Sequence, residues 1–202
     1  MEPRPDEAEL LSRAARGDLA AFNCLVEHYQ TSVYNLCLRL LGSPQAAEDT
    51  TQDAFIAAYR RFDSFRGGSF RAWIFRIASN ACYDELRYRK SRPAISIDEP
   101  QGSEDRAFDV PDKAPSPEDR AEQSELRQAI THALSALPDE QRLAIVLCDS
   151  QGMDYAEIAV VLNCSLGTVK SRINRGRARL REILLQNAEL LPYRFRPTGE
   201  ET

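Results

Sequence analysis

The sequence predicts an all-α protein built as two small helical domains joined by a Pro-rich acidic linker. Three observations predict it. Apolar residues recur at helical spacing through most of the chain. Ser, Asp and Pro starts and Gly stops punctuate that pattern. Between Pro93 and Ser124, Pro93, Pro100, Pro111, Pro115 and Pro117 interrupt a stretch poor in aliphatic residues. With 202 residues, 43% of them hydrophobic, the chain has room for two compact cores of roughly 80 residues each.

Asp6, with Glu9 three positions on, predicts a capped first helix that Gly17 ends before Asp18 opens the second. Phe22, Leu25, Val26, Tyr29, Val33, Leu36, Cys37, Leu40 and Leu41 then hold helical spacing until Gly42. Ser43-Pro44 is a cap followed by proline at the first helical position, and Ala47, Ala54, Phe55, Ala58, Tyr59 and Phe62 continue an apolar face. Gly67-Gly68 breaks the chain, and Ser69 caps a fourth helix with the apolar face Phe70, Trp73, Ile74, Ile77 and Ala81, running to about Lys90. Ser116-Pro117 restarts helix through Ala121, Leu126, Ala129, Ile130, Ala133, Leu134 and Leu137. Pro138 begins another that ends at Gly152. Asp154 with Glu157 forms a capping box for a short helix through Leu162, Asn163-Cys164-Ser165 turns, and a last helix runs from about Gly167 to Leu185. Two short helices around a tight turn make a helix-turn-helix.

These signals divide the chain into a helical domain over 1–95, a flexible linker over 96–124, a helix-turn-helix domain over 125–190 and a tail over 191–202. The net charge is −5, yet nine acids face three bases in the linker, a net of −6, so the rest is nearly balanced. There is no run of about 18 apolar residues, and the amino terminus MEPRPDEAEL is acidic where a secretion signal is basic and then apolar. A cytoplasmic protein with no membrane insertion is expected. Cys24, Cys37, Cys82, Cys148 and Cys164 are odd in number and contain no C-x-x-C pair, which reads as reduced core thiols. Cys24 and His28 at i, i+4 lack the further ligands that zinc requires. No cofactor, metal or catalytic residue is expected.

On a wheel at 100° per residue, Val169, Ile173, Gly176 and Leu180 fall on one side of the last helix, the side to be buried. Ser171, Asn174, Arg175 and Ala178 lie opposite. Lys170, Arg177 and Arg181 form one flank and Arg172 and Arg179 the other, a polar edge between two basic rails, as a helix in the DNA major groove needs. The other reading is a solvated charged face, but such faces mix signs, whereas residues 165–181 carry six bases and no acid. If most of the six touch phosphates, log affinity falls with log salt at a slope approaching roughly −5.

Residues 65–92 interleave aromatics with Arg66, Arg71, Arg76, Arg87, Arg89, Lys90 and Arg92. Arg76, Asn80, Tyr83 and Arg87 fall at i, i+4, i+7 and i+11, a stripe of base, amide, aromatic and base away from the apolar face. Single-stranded nucleic acid asks for that combination: charge for phosphate, an edge reader and a stacking surface. An ordinary amphipathic surface helix is the alternative for this stripe.

The segments AAEDTTQDAFIAAYRRFDSFRGGSFRAWIFRIASN (46–80) and LPDEQRLAIVLCDSQGMDYAEIAVVLNCSLGTVKSRINRGRARL (137–180) occur in an order that resembles the extracytoplasmic-function type of bacterial sigma factor, the smallest members of the sigma-70 family. The resemblance covers nearly the whole chain except the linker. It implies that residues 1–95 bind the clamp of the largest subunit of RNA polymerase and open the downstream promoter box. Residues 125–185 would read the upstream box and contact the flap of the second-largest subunit. By matching motif positions, Asp49, Gln52, Asp53 and Ile56 fall in the polymerase-binding helix. Phe65, Arg66, Gly67, Gly68, Ser69, Trp73, Arg76, Asn80, Tyr83 and Arg87 fall at the downstream box, with Asn80 and the loop from Phe65 to Ser69 where a flipped-out base is held. Ser165, Thr168, Lys170, Ser171, Arg172, Asn174, Arg175, Arg177 and Arg179 fall at the upstream box. The implied partners are core RNA polymerase, double- and single-stranded promoter DNA and an anti-sigma factor, with a stress or envelope response as the setting. Thr50-Thr51 depart from the pattern, at a place that is usually aliphatic.

Two rival classes are weighed against this reading. A stand-alone helix-turn-helix regulator needs an amino-terminal sensor, and no strand-like alternation announces one. An enzyme needs a catalytic constellation, and neither His28 nor His132 has a nucleophile motif near it.

Overall fold

The computed structural model describes residues 6–91 and 117–186, the side chains of 117–123 and 127 excepted. The linker reading over 96–116 and the tail reading over 191–202 lie outside the described residues. Eight α-helices lie among the described residues: α1 (Glu7–Ala14), α2 (Leu19–Leu41), α3 (Pro44–Arg60), α4 (Phe70–Ser91), α5 (Pro117–Ser135), α6 (Asp139–Ile145), α7 (Tyr155–Leu162) and α8 (Leu166–Gln186). A 3₁₀ turn spans Phe62–Ser64 and a π-helical turn Val146–Ser150. No strand occurs among the described residues, so the chain is all-α. Helix α5 begins at Pro117, inside the segment 96–124 read as linker, where the Ser116-Pro117 start places it.

The starts follow the expected chemistry at most ends. Asp18 accepts from the amides of Ala20 and Ala21 at 3.0 and 3.1 Å, Ser43 caps α3 with Pro44 behind it, and the Ser69 hydroxyl accepts from the Ala72 amide at 3.1 Å. Asp154 and Glu157 form the expected capping box. Asp6 differs: its side chain makes no capping bond. Glu7 instead accepts from the Tyr29 hydroxyl at 2.6 Å, which ties α1 to α2.

The first domain packs α1, α3 and α4 around α2, whose Leu25, Val33, Leu36 and Cys37 are almost wholly buried. Thr50 is buried as well, and the Thr51 hydroxyl donates to the Ala47 carbonyl at 2.6 Å, so the threonines at the usually aliphatic place are accommodated within α3. Helix α4 is rotated from the expected face. Phe70 and Ile74 of the expected face are buried, together with Ala72, Phe75, Ala78, Ser79 and Cys82, while Trp73, Ile77 and Ala81 lie at the margin. Burial of Phe75, Ala78 and Cys82 moves the core face by about one position, towards the side of α4 that meets α2 and α3.

The second domain packs α8 across α6, α7 and α5. Val169, Ile173 and Gly176 are buried and Leu180 partly so, as the wheel predicts. Gly176 is required by the crossing: a Cβ there would lie 2.6 Å from Ile145 Cδ1 and 3.3 Å from Gln141 Cβ. The two domains touch. Helix α7 lies along α4, the second half of the interface joins α2 to α5, α6 and the turn 146–150, and the apolar core is continuous across the boundary.

Candidate nucleic-acid interface

Ser165 starts α8: its hydroxyl accepts from the Thr168 amide at 3.2 Å and sits 2.9 Å from the Thr168 hydroxyl. Asn163 makes the turn in the left-handed conformation at φ 49°, a position that asparagine tolerates better than most residues. Beyond the cap, Lys170, Asn174, Arg175, Ala178, Arg179 and Arg181 are exposed. The rails are less free than the sequence suggests. Arg172 donates to Glu140 at 2.6 Å and to Cys164 Sγ at 3.6 Å. Arg177 pairs with Asp149, Nε to Oδ2 at 3.0 Å, which holds the Asp149 carboxyl below its ordinary range and the Arg177 guanidinium above its own. The missing acids are supplied by α6 and the turn 146–150, far away in sequence.

On the first domain, Gly67 and Gly68 have φ of 90° and 88°, backbone that few side-chain-bearing residues adopt. The loop they form is anchored rather than loose. The Phe65 ring stands edge-on to Phe70 at 5.8 Å and tilts on Trp73 at 5.4 Å, and Trp73 meets Phe62 at 5.9 Å. Phe65 and Trp73 are thus half-buried members of an aromatic cluster that holds the loop. Arg66 and Ser69 are exposed beside them. Along α4, Arg76, Asn80 and Arg87 are exposed. Asn80 has no hydrogen-bond partner among the described residues, leaving both amide functions available. Arg87 donates to Asp84 at 2.8 Å. Tyr83 is half-buried: its hydroxyl donates to the Asp139 carbonyl at 3.4 Å, and burial pushes its pKa up to about 12.

Asp49, Gln52, Asp53 and Ile56 all lie exposed on the outward side of α3 at i, i+3, i+4 and i+7. The sequence reading missed what adjoins them. Tyr59, assigned to the apolar face, is 48% exposed with its ring edge-on to Phe22 at 5.1 Å, and Leu19 at the start of α2 is 53% exposed. Two carboxylates beside an apolar patch form a surface suited to a protein partner.

Family models match this chain twice, Sigma-70 region 2 over residues 25–92 and Sigma-70 region 4 over residues 127–180. The chain belongs to the sigma-70 family. An ECF RNA polymerase sigma factor SigE of Mycolicibacterium smegmatis is 38% identical over 191 residues, 93% of this chain and 72% of that protein. The ECF RNA polymerase sigma-E factor of Escherichia coli K12 is 39% identical over 170 residues, 83% and 88% of the two chains. Among solved structures, CnrH in complex with the cytosolic domain of CnrY superposes with a TM-score of 0.64 at 29% identity, over 88% of this chain and 96% of that one. The sigma factor RpoE of Bartonella quintana, in complex with the anti-sigma factor NepR, gives 0.61 at 28% identity, over 81% and 96%. The protein is therefore an ECF-type sigma factor, an initiation factor for RNA polymerase at promoter DNA.

With the family in place, α2, α3 and α4 are the body of region 2, and α6, α7 and most of α8 fall in region 4. The thiols of this sigma factor are not all core residues. Cys37 and Cys82 are buried, Cys24 is exposed, and Cys148 and Cys164 sit half-buried against guanidinium groups of α8. An unpaired thiol needs no particular burial, so their spread carries no signal of position. Among the described residues no group of His, Cys, Asp and Glu could hold a metal ion, and no helix is long and apolar enough to cross a membrane.

Arg142 is the residue whose importance the sequence concealed. Only 7% exposed, it donates to the carbonyls of Ser135 at 2.9 Å and Leu137 at 3.3 Å and, across the domain boundary, to that of Leu40 at 2.8 Å. It thereby neutralises the carboxy-terminal ends of α5 and α2. A single base directly before the apolar run Leu143 to Leu147 was the available hint.

Proposed function

We propose that this sigma factor reads its promoter with two separate surfaces. The exposed edge of α8, Lys170, Asn174 and Arg175, reads the duplex upstream box, and Asn80 with the loop from Phe65 to Ser69 holds an unpaired base of the downstream box. The observation that carries the reading is the exposure of Asn80 and Arg175, polar groups left without internal partners on helices whose opposite faces are fully buried. The remaining upstream candidates divide by what they do in the fold: Arg179 is free for phosphate, Arg172 and Arg177 are held by carboxylates, Ser165 and Thr168 serve the cap of α8, and Ser171 is half-buried beside the edge. Of the downstream candidates, Phe65 and Trp73 support the loop, while Arg66, Ser69 and Arg76 are placed for phosphate.

The stripe Asp49, Gln52, Asp53 and Ile56, extended by Tyr59 and Leu19, is the surface for the clamp of the largest polymerase subunit, and the second domain meets the flap. The division into domains over 1–95 and 125–190, a linker over 96–124 and a tail over 191–202 belongs to the same reading. It places the protein in the cytoplasm. Solved relatives held by CnrY or NepR support control of this chain by an anti-sigma factor, with a stress or envelope response as its setting. Core RNA polymerase reconstituted with the purified chain should start transcription at defined sites on genomic templates. Starts no more defined than those of core enzyme alone would overturn the reading.

A further inference from the structure

Leu166 is the first residue of α8 and is 50% exposed. Single exposed leucines are common on protein surfaces and ask for no account by themselves. This one stands where an apolar side chain gives the fold nothing, since it does not pack against the core. Ser165 before it caps the helix through the Thr168 amide, and Gly167 after it is exposed too. The fold has no need of a glycine there. Gly167 carries no positive φ, and beyond its chain neighbours and its own helix the nearest atom a Cβ would meet is Ser165 Oγ, at 3.8 Å. Glycine within a helix is destabilising relative to alanine, so a bare backbone at 167 serves only a surface that approaches the start of α8 closely. Leu166, Lys170 and Asn174 follow one another at i, i+4 and i+8, and all three are exposed. Helical side chains tilt towards the amino terminus, so Leu166 carries the strip of Lys170 and Asn174 to the leading end of the helix. The first residues of a recognition helix are the ones that reach base edges.

We propose that Leu166 is a specificity residue for the upstream box: its side chain packs against the C5 methyl group of one thymine in the major groove. The proposal rests on the reading of α8 given above. Leucine has neither donor nor acceptor, so it takes no part in the hydrogen-bond code of the groove. The thymine methyl is the apolar group that a base pair presents there. Contact removes both groups from water, and one buried methyl is worth about three- to fourfold in affinity. A base without that methyl leaves Leu166 against a polar edge, so the contact discriminates at that position.

The test uses core RNA polymerase reconstituted with the full chain, wild type or Leu166→Ala, and a labelled duplex promoter at which the wild-type polymerase starts. Each thymine of the upstream box, on either strand, is replaced in turn by deoxyuridine, which lacks the methyl group and keeps every hydrogen-bonding atom. The half-saturating polymerase concentration is read by fluorescence anisotropy. Wild type should lose about three- to fourfold at one thymine. Leu166→Ala should bind the unmodified promoter about as weakly as wild type binds that uracil promoter, and should lose nothing more on exchange there, because the two changes remove the same contact. Leu166→Met keeps an apolar side chain of similar volume and should keep the sensitivity of wild type. A box in which every thymine can be exchanged without loss, or a Leu166→Ala polymerase as sensitive as wild type at every thymine, overturns the proposal. Arg175→Ala separates it from the reading on which it rests: with that reading intact, this variant keeps the uracil effect and loses discrimination at another position. Uniform weakening across upstream bases by Arg175→Ala would instead remove the reading of α8, and the proposal with it.

Discussion

A guanidinium taken out of water must find acceptors, and Arg142 finds three main-chain carbonyls on two domains. Arg142→Met should leave those carbonyls unpaired and lower stability by about 2–3 kcal/mol in urea unfolding; a loss under about 0.5 kcal/mol would show that water replaces it. The arginines of α8 should separate by surroundings. Arg175→Ala should lose on the order of 1–3 kcal/mol at one upstream-box position and relax the preference there, whereas Arg179→Ala should weaken all sequences alike and lower the salt slope by about one. Base-by-base binding measurements at several salt concentrations check both. At this scale the sequence was informative where a local rule decides exposure, as for Asn80 and Arg175. It was silent on Arg177, whose partner Asp149 is 28 residues away, because no periodicity marks a pair made by folding.

Element by element, the starts and stops were legible because capping is local chemistry: Ser43-Pro44, Asp18 and the Asp154–Glu157 box can be read from neighbours alone. The phase of α4 was only partly legible, because Phe70, Ala72, Trp73, Ile74, Phe75, Ile77, Ala78, Ala81 and Cys82 make more than one side of it apolar and packing decides among them. The π turn at 146–150 was also unannounced; nothing in Val-Leu-Cys-Asp-Ser distinguishes it from ordinary helix. Gly176→Ala should gain about 1 kcal/mol of helix propensity and lose more to overpacking against Ile145 and Gln141, a net destabilisation of about 1 kcal/mol in thermal or urea unfolding. With Arg172 and Arg177 already paired to carboxylates, the salt slope of duplex binding should fall nearer −3.5 than −5, at roughly 0.9 per free base over Lys170, Arg175, Arg179 and Arg181. Asp149 titrates below its ordinary range because Arg177 hydrogen-bonds it. A carboxyl lowered in the folded state stabilises above its unfolded pKa and loses that contribution as pH falls through the lowered value. Both partners are more than a third exposed, so the stability difference between wild type and Asp149→Asn should be under about 1 kcal/mol near neutral pH and vanish in acid. A difference that grows in acid would contradict the pairing.

Across the whole molecule, the two helical domains and their order were legible because each repeats its own apolar periodicity and prolines separate them. Their closure was not. Ser69 and Glu157, or Arg142 and Leu40, lie 88 and 102 residues apart, and single polar contacts over such distances leave no trace in a pattern. Charge was legible only segment by segment, since a net of −5 averages over the six bases of residues 165–181 that the sequence itself displays. Region 2 should hold polymerase through the outward stripe of α3, so Asp53→Arg should weaken core binding by about tenfold, about 1.4 kcal/mol, while leaving duplex binding by α8 unchanged. The central claim is that two surfaces read two boxes independently, and it is tested most directly by transcription from promoters carrying each base in turn, as closed duplexes and as templates already mismatched at the downstream box, with wild type, Asn80→Ala and Arg175→Ala in the same polymerase. Asn80→Ala should lose discrimination at one downstream position and recover much of its initiation rate, but not that discrimination, on the mismatched template, because the cost of unpairing has been removed. Arg175→Ala should lose discrimination only in the upstream box. Unchanged downstream discrimination in Asn80→Ala, or a uniform loss across upstream bases in Arg175→Ala, would contradict the account.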